Sequence, residues 1–317
     1  MYYLGIDIGG MSIKCGLVSV DGEILYSQAI QTENYTQNEQ VKRIKGLIEE
    51  VLQKNNLDKS QIKGIGIGCP GAIVAGEGIV KTSANLKWTD FPLKDLLYKE
   101  VGIPVRVAND ADAATLGEVI FGVAKNKSNV ILLTIGTGIG GGIVINKKLY
   151  EGHAGTAGEL GHIVMIKGGI KCGCGRYGCF EQYASATALI RQTKELMLLD
   201  KSSSMWEFCG NDINNVNGIT AFACAKKGDK TANLVVDNYV SYISEGILDY
   251  CNIFRPEMII LGGGISKEGD YLTDKIKDYL ESFAYGYEGT PKAEIVTAKL
   301  KNGAGIVGAA SLIAEEF

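Results

Sequence analysis

A short cysteine-rich segment between Gly158 and Glu181 constrains this chain more than any other feature. Its sequence is GELGHIVMIKGGIKCGCGRYGCFE, and three of its cysteines fall within eight positions. Metal-binding side chains occur at His162, Cys172, Cys174 and Cys179. One imidazole and three thiolates form the closed tetrahedral set that a structural Zn²⁺ prefers. The segment therefore predicts a zinc-bound loop, and the alternative is three free thiols beside a hydrogen-bonded core histidine.

Two acidic residues, Glu159 and Glu181, flank this loop. A closed metal site has no open coordination position for a reactive water, so the metal would hold the loop rather than take part in chemistry. We expect the loop to carry both carboxylates into a substrate pocket. Asn85, Asn109 and His162 extend this polar set, and several carboxylates and amides together suit a sugar better than an anion.

The composition is that of an ordinary globular protein. The 317 residues carry a formal net charge of −4, with 46% hydrophobic and 21% charged residues, which is enough chain for two domains. A negative net charge argues against a nucleic-acid partner, and no apolar run approaches the length of a membrane span. Met1 leads directly into a predicted strand without a basic region, and the cysteines outside the loop are scattered in apolar surroundings. We therefore expect a cytoplasmic protein without a signal peptide.

One pattern of strand, glycine turn, strand and hairpin occurs twice in the chain. The first copy has strands at 2–8 and 13–20, and the turn at 21–22 (Asp-Gly) predicts a hairpin to a third strand. The second copy has strands at 130–135 and 143–146. The repetition predicts an α/β fold with duplicated sheet units.

Strands and helices alternate through the rest of the chain. Apolar spacing predicts helices near 38–55, 91–100, 110–122, 184–199, 219–227, 230–253, 270–284 and 304–315. Further strands are predicted at 62–68, 105–108, 258–261 and 293–297. The stretches 82–88 and 200–217 are predicted to be loops.

Three glycine turns follow apolar strands, at 9–10, 136–142 and 262–264. Because glycine has no Cβ, the backbone amides of such turns can approach phosphate oxygens closely. Lys14 would neutralise phosphate charge, and Asp7 at a strand end would hold the hydration shell of Mg²⁺. The set predicts a nucleotide site. The alternatives are ordinary hairpin turns, a solvated lysine and a turn-capping aspartate.

The sequence Asn109-Asp110-Ala111-Asp112 opens a helix directly after a strand, and Asn109 is predicted to cap that helix. Ligands often bind where a strand ends and a helix begins. Asp110 would accept the proton of a substrate hydroxyl as that oxygen attacks a γ-phosphorus. The alternative is that these acidic residues only favour a helix N-terminus.

Together these motifs resemble the ROK family of bacterial sugar kinases and sugar-responsive repressors. The resemblance covers nearly the whole chain and rests on DIGGMSIK at 7–14, CPG at 69–71, NDADAA at 109–114, TIGTGIGGG at 134–142 and GELGH with CGCGRYGCFE within 158–181. It implies the two-lobed actin-like ATPase (ribonuclease H-like) fold with a cleft between the lobes. The implied lobes are 1–117 and 118–303, the second containing the zinc loop, and the helix at 304–317 would pack back onto the first lobe.

The resemblance also implies an activity, the ATP-dependent phosphorylation of a hexose, with glucose as the expected substrate. Fructose, mannose, N-acetylmannosamine, allose and a β-glucoside are alternative substrates, and a sugar-responsive regulator is the alternative class. Repressors of the family resemble this chain only after an added N-terminal DNA-binding region, and no helix-turn-helix segment is expected here. The implied ligands are ATP, Mg²⁺ and a structural Zn²⁺. The implied assembly is a homodimer, with a tetramer as the alternative, and neither nucleic acid nor membrane is an expected partner.

The family's functional residues match positions of this chain. Asp110 matches the catalytic base, and the sugar contacts match Asn85, Asn109, Asp110, Glu159, His162 and Glu181. The zinc ligands match His162, Cys172, Cys174 and Cys179. The nucleotide contacts match Asp7, Gly9, Gly10, Ser12, Lys14, Gly136, Thr137, Gly138, Gly262, Gly263 and Gly264.

Three residues depart from the family's usual pattern. Met11 stands where threonine is usual, so one phosphate or Mg²⁺ contact would be lost unless Ser12 replaces it. Asp112 stands where asparagine is common, and a second carboxylate near Asp110 would raise the pKa of the base or alter the choice of sugar. Ala84 replaces a common proline, which would loosen the predicted loop around it.

Overall fold

The structure, a computed structural model, describes residues 1–33 and 35–315. Its strands are β1 (Tyr2–Ile8), β2 (Ser12–Val18), β3 (Ile24–Gln31), β4 (Ile62–Cys69), β5 (Ala72–Val74), β6 (Ile79–Ser83), β7 (Trp88–Phe91), β8 (Val105–Asn109), β9 (Val130–Ile135), β10 (Ile139–Ile145), β11 (Lys148–Leu149), β12 (Met258–Gly262) and β13 (Glu294–Thr297). Its helices are α1 (Gln37–Lys54), α2 (Leu93–Val101), α3 (Asp110–Ile120), α4 (Glu181–Ala184), α5 (Ala186–Leu199), α6 (Met205–Phe208), α7 (Thr220–Ala225), α8 (Lys230–Phe254), α9 (Asp270–Phe283) and α10 (Ala304–Ala314).

Short 3₁₀ helices complete the described secondary structure, at Lys59–Gln61, Leu160–His162, Ile213–Asn215, Ile265–Glu268 and Lys301–Gly303. Among the described helices, including the 25-residue α8, none combines the length and the hydropathy that a membrane-spanning segment needs.

Two units make up the chain. Unit 1 contains Met1–Leu132, Gly142–Gly158 and the described residues of Ala298–Phe317, and unit 2 contains Leu133–Gly141 and Glu159–Thr297. The domain boundaries predicted at 117 and 303 stay a prediction.

Two five-stranded sheets share one strand order. The first sheet has the order β3-β2-β1-β4-β8, and the second has β11-β10-β9-β12-β13. In the first sheet β1 pairs antiparallel with β2 and parallel with β4, and β4 pairs parallel with β8. In the second sheet β10 and β11 are antiparallel while β12 and β13 are parallel. Position by position the two orders correspond, which confirms the predicted α/β class with duplicated sheet units.

Within the stretch 82–88, predicted to be a loop, residues 84–87 do form a turn, but the residues on either side of that turn belong to strands of a third sheet. In this sheet β5, β6 and β7 pair in an antiparallel order, with Val80 opposite Phe91 and Thr82 opposite Thr89. Val80, Trp88 and Phe91 are buried in the hydrophobic core of unit 1. The strands have only three to five residues, too few for a clear alternation of apolar and polar side chains. The helix predicted from residue 91 begins at Leu93, because Phe91 is the last residue of β7 and Pro92 is the N-cap.

The polar stretch 200–217 is also more ordered than the predicted surface loop. It contains α6 and a 3₁₀ turn, and Met205 is fully buried. Asp229 accepts hydrogen bonds from the Ser204 amide at 2.6 Å and from the Ser203 hydroxyl at 3.0 Å. Partial burial alone would raise the pKa of Asp229, but the hydrogen bond from the Ala232 amide, together with those from Ser204 and Ser203, holds that pKa below its usual value. The anchor lies 25 residues away along the chain, so no local pattern predicts it.

Helix α10 lies directly on the backbone of the first sheet. A Cβ atom on Gly5 of β1 would lie 1.9 Å from the Ile306 carbonyl oxygen, and one on Gly66 of β4 would lie 1.7 Å from that of Ala309. Such distances are possible only for glycine. The fully buried Glu118 carboxylate accepts from the Leu300 amide at 2.8 Å, which positions the chain just before this helix.

We predict that Gly66→Ala lowers the free energy of unfolding by about 3 kcal/mol, because the added methyl group overlaps the backbone of α10 and one of the two elements must move. Gly46→Ala is the matched control, because Gly46 is exposed in the middle of α1 with open space around it. The control should gain about 0.4–1 kcal/mol. Urea unfolding measures both variants, and equal stability of the two would contradict the close contact.

Candidate functional site

The first glycine turn lies between β1 and β2 in unit 1. Asp7 and Lys14 are cross-strand partners, and Lys14 Nζ lies 3.4 Å from Asp7 Oδ2. The turn is closed by the Gly9 amide, which donates to the Ser12 carbonyl at 2.9 Å, and the Thr32 hydroxyl donates to the Gly9 carbonyl at 2.7 Å. The turn therefore holds a fixed conformation with a carboxylate and an ammonium group beside it.

Open space surrounds the middle of this turn. Apart from the adjoining residues of the chain, no atom of the described residues lies within 4 Å of the place that a Cβ of Gly10 would occupy, and Gly136 and Gly264 in unit 2 have the same property. None of the three has a positive φ, so neither packing nor backbone conformation in the described residues requires glycine there. Glycine leaves these turns accessible to a ligand, which fits the phosphate groups of a nucleotide. The Met11 side chain is 86% exposed.

Asn109 and Asp110 lie where β8 ends and α3 begins. Asn109 Oδ1 accepts from the amides of Ala111 at 2.8 Å and Asp112 at 3.4 Å, which confirms the predicted cap. Its Nδ2 donates to the Gly71 carbonyl at 3.1 Å and has a second hydrogen for a ligand. Asp110 is exposed, and its Oδ1 accepts from the Ala111 amide at 3.0 Å. The local structure therefore presents the Asp110 carboxylate at the first residue of the helix.

The negative charge at this strand end affects the pKa of a buried thiol. Cys69 is the parallel-strand partner of Asn109, and burial followed by the negative charge of Asp110 raises the pKa of the Cys69 thiol. The charge of Asp110 therefore acts on the end of the neighbouring strand β4 as well as on its own helix.

Asn85 lies in the turn between β6 and β7 and is exposed. A Cβ on Gly71 would lie 2.2 Å from the Thr82 carbonyl, so the segment that accepts the Asn109 amide also packs on the strand that leads to Asn85. Gly71 has a φ of 116°, which favours glycine at this contact. Within unit 1, Asn109 and the strand leading to Asn85 therefore both contact the segment around Gly71.

The four predicted metal ligands of unit 2 form one cluster. The ligand atoms of His162, Cys172, Cys174 and Cys179 all lie within 4.8 Å of one another. Cys172 Sγ is 3.6 Å from His162 Nδ1, and Cys174 Sγ is 3.6 Å from Cys179 Sγ. Tetrahedral zinc with ordinary bond lengths requires about 3.6 Å between nitrogen and sulfur and about 3.8 Å between two sulfurs. The donor set and its spacing fit a closed zinc site.

The three thiols differ in acidity. A backbone hydrogen bond from Arg176 holds the pKa of the exposed Cys174 below its usual value. Burial, assisted by the hydrogen bond to Glu181, raises the pKa of Cys172 to about 12. Since only thiolates bind zinc, Cys174 offers the most readily formed thiolate ligand, and a cation beside Cys172 would offset the cost of burying its thiolate.

The two nitrogens of His162 face different partners. Nδ1 points to the cysteine cluster and lies 3.8 Å from Glu181 Oε1, while Nε2 lies 4.0 Å from Glu159 Oε2. Glu159 is exposed, with 63% of its side chain accessible. The histidine therefore connects the metal cluster with a carboxylate outside it.

Glu181 connects the cluster with the second glycine turn. Its Oε1 lies 2.9 Å from Cys172 Sγ, and its Oε2 lies 2.6 Å from the position of a Cβ on Gly138. The Ala186 amide donates to the Gly136 carbonyl at 2.8 Å, and the Thr187 hydroxyl donates to the Thr137 carbonyl at 2.7 Å. Within unit 2 the predicted zinc ligands, three predicted sugar contacts and a predicted phosphate turn therefore lie together.

The third glycine turn follows β12, which ends at Gly262. Gly263 has a φ of 82°, and its Cβ would lie 2.4 Å from the Ile135 carbonyl, immediately before the second glycine turn. The close approach requires glycine at this position. Two of the three turns thus lie side by side in unit 2.

Two tyrosines that no sequence motif indicated hold the loop in place. The Tyr250 hydroxyl donates to the Leu160 carbonyl at 2.7 Å, and the Tyr183 hydroxyl accepts from the Ile170 amide at 2.8 Å. Burial raises the pKa of Tyr250, which keeps its donor proton in place. Tyr250 is 90 residues from its partner, so no motif could have found it.

Comparison with known proteins places these features in a family. The ROK family model matches residues 3–316. The chain is 37% identical to a glucokinase of Halalkalibacterium halodurans, over 99% of this chain and 96% of that protein. It is 30% identical to a xylose repressor of Caldicellulosiruptor bescii, over 99% of this chain and 78% of that protein.

A solved structure is similar over nearly its full length. It is the crystal structure of a ROK family glucokinase from Streptomyces griseus in complex with glucose and AMPPNP, with a TM-score of 0.81 and 34% identity. The alignment covers 98% of this chain and 99% of that one. With the family model matched from residue 3 to residue 316, the chain belongs to the ROK family.

Proposed function

We propose that this chain is an ATP-dependent glucose kinase that forms glucose 6-phosphate. The arrangement within unit 2 carries the proposal, because the His162 and cysteine cluster, the two flanking glutamates and two glycine turns lie together. Full-length similarity to glucokinases, one of them solved with glucose and AMPPNP, supports the same activity.

The nucleotide would be held chiefly by backbone amides. We propose that Gly9, Gly10, Ser12, Gly136, Thr137 and Gly138 contact its phosphates, and that Gly262, Gly263 and Gly264 lie on the adenosine side. Lys14 offsets phosphate charge, and Asp7 holds water molecules of the Mg²⁺ shell. Bound Mg²⁺ neutralises the charge that develops on the transferred phosphoryl group.

Asp110 is the proposed catalytic base. At the first residue of α3 it is exposed, and the Asn109 cap fixes the backbone from which it projects. It would orient the sugar 6-hydroxyl and accept its proton as the oxygen attacks phosphorus. Asn85, Asn109, Glu159, His162 and Glu181 would contact the other hydroxyl groups.

Zinc at the cluster would prepare Glu181 for the sugar. A zinc-bound Cys172 is a thiolate and no longer donates to Glu181 Oε1, which makes that oxygen available to a sugar hydroxyl. The same ion would take His162 Nδ1 as a ligand and leave Nε2, beside Glu159, for the substrate. We therefore propose a structural role for zinc in sugar binding.

We also propose a cytoplasmic homodimer. All eight cysteines are free thiols, which supports a reducing compartment. The dimer rests on family resemblance, and analytical ultracentrifugation at micromolar concentration would separate it from the alternative tetramer.

A coupled assay of ADP release with a panel of sugars tests the proposed function. We expect the highest kcat/KM for glucose over fructose, mannose, N-acetylmannosamine, allose and a β-glucoside, and ³¹P NMR of the product should show a 6-phosphate. A higher kcat/KM for another sugar would change the assigned substrate. If no sugar raised the rate of ADP release above that of ATP hydrolysis without sugar, the proposed kinase activity would be contradicted.

A sugar-responsive regulator is the second candidate, since a xylose repressor is among the relatives. The net charge of −4 disfavours binding to DNA. In a gel-shift experiment with operator fragments we expect no retardation at micromolar protein, and sugar-dependent retardation would favour the regulator.

A further inference from the structure

Gly305, the second residue of α10, contacts the carboxylate of Asp7 within unit 1. A Cβ atom on Gly305 would lie 2.4 Å from Asp7 Cγ and 2.5 Å from Asp7 Oδ2. Gly305 has no positive φ, so its backbone would accept another residue. Glycine is needed here because of the neighbouring carboxylate.

Two elements of the fold approach the same oxygen of the Asp7 carboxylate. The ammonium group of Lys14 in β2 lies 3.4 Å from Oδ2, and Gly305 at the start of α10 lies beside the same oxygen. The Asp7 side chain is only 25% exposed, so protein atoms surround most of it. A helix 298 residues away in the chain therefore helps to place a carboxylate beside the first glycine turn.

We infer that Gly305 is a positioning residue for Mg²⁺–nucleotide binding, because its lack of a side chain lets the Asp7 carboxylate occupy its place at the first glycine turn. The inference rests on the proposed kinase function, in which Asp7 holds water molecules of the Mg²⁺ shell.

Other glycines at the contacts of α10 differ from Gly305 in the atoms that an added methyl group would meet. At Gly5, Gly66 and Gly308 it would meet backbone atoms, at 1.9, 1.7 and 2.6 Å, so that whole elements would have to move. At Gly305 it meets Cγ and Oδ2 of Asp7, which rotation about the Cα–Cβ bond can move away, and the Asp7 Cβ at 2.9 Å, which calls for an adjustment of only a few tenths of an ångström. An alanine there also favours the helix more than glycine does. Gly305→Ala should therefore displace the carboxylate while the fold is kept.

The displacement is large enough to matter. Carbon atoms in contact are about 3.5–4.0 Å apart, so the Asp7 carboxylate must move by about 1 Å or more. A misplacement of that size at a reactive site can cost as much as about 100-fold in rate. Since the group acts on the metal shell and not on the sugar, the effect should appear in Mg²⁺ and nucleotide binding.

The experiment compares Gly305→Ala with the wild type and with Gly46→Ala on exposed α1. For Gly305→Ala we expect calorimetry to give a Kd for AMPPNP in the presence of Mg²⁺ that is about tenfold higher than that of the wild type. The Mg²⁺ concentration that gives half-maximal activity in the kinase assay should also be higher. The KM for glucose and the affinity for AMPPNP without Mg²⁺ should not change. The Tm should stay within about 2 °C, because the helix preference of alanine over glycine offsets the small adjustment at the Asp7 Cβ. Gly46→Ala should bind like the wild type.

A double-mutant cycle with Asp7→Ala tests whether Gly305 acts through Asp7. With no carboxylate to displace, Gly305→Ala should weaken Mg²⁺–AMPPNP binding no further in that background. Additive losses, or unchanged binding in the single variant, would overturn the inference while leaving the kinase function intact. A wild-type protein that neither phosphorylates glucose nor binds Mg²⁺–AMPPNP would overturn the proposed function and this inference with it.

Discussion

Replacing Asp110 with asparagine is expected to lower kcat by about 10³-fold, because the amide keeps the shape of the side chain but cannot accept the proton of the sugar hydroxyl. The KM for glucose and the Kd for AMPPNP should change little. The free energy of unfolding should fall by no more than about 1 kcal/mol, since the variant loses a negative charge at a helix N-terminus and keeps the shape of the side chain. Steady-state kinetics and urea unfolding provide the two measurements.

Asp270→Asn is the matched control, because Asp270 is likewise an exposed aspartate at the first residue of a helix, α9. It should show the same small loss of stability and full activity. If Asp110→Asn kept more than about a tenth of the wild-type kcat, which is far above the loss usual for a general base, Asp110 would be no more than a helix-capping charge.

Replacing Cys174 with serine is expected to remove zinc almost completely, from one ion per chain to near zero. The serine hydroxyl does not ionise at neutral pH and is a poor zinc ligand, whereas Cys174 is the thiol with the lowered pKa. Without the ion, His162 and Glu181 lose their fixed positions, and kcat/KM for glucose should fall by about 100-fold or more. Elemental analysis and kinetics with glucose measure these effects.

Cys15→Ala serves as the control for the zinc variant. Cys15 is fully buried in β2, where burial raises the pKa of its thiol to about 12. Its loss should lower the free energy of unfolding by about 1 kcal/mol and leave zinc content unchanged. One zinc ion per chain in Cys174→Ser would show that the cluster uses a different ligand. Unchanged kinetics with glucose in a zinc-free variant would show that sugar binding does not depend on the metal.

Local patterns predicted most of the regular elements, because each depended on residues close in the chain. The dipeptide Asp21-Gly22 predicted the hairpin of β2 and β3, and Gly22 has the positive φ, 86°, that this turn requires. Asn109 before an apolar periodic stretch predicted the start of α3, where it caps the first turn. By contrast, β6 and β7 were missed, because Val80 and Phe91 become strand residues only when each is paired with the other.

The sequence by itself determined the family of folds, the duplicated sheet pattern and the metal cluster. The cluster was readable because its ligands lie between positions 162 and 179, so that one glycine-rich loop can bring them together without help from distant residues. Repeated strand and turn patterns were readable for the same reason, since turn chemistry acts over two to four residues.

Only the tertiary structure decided the surroundings of Asp7, Glu118 and Glu159. Gly305 borders Asp7, the Leu300 amide donates to the buried Glu118, and Tyr250 holds the Leu160 turn next to Glu159. These partners are separated by 298, 182 and 90 residues, and none of them has a distinctive local pattern. The physical reason is that packing brings atoms together irrespective of their distance along the chain, so the side-chain environment of a site appears only after the elements have docked.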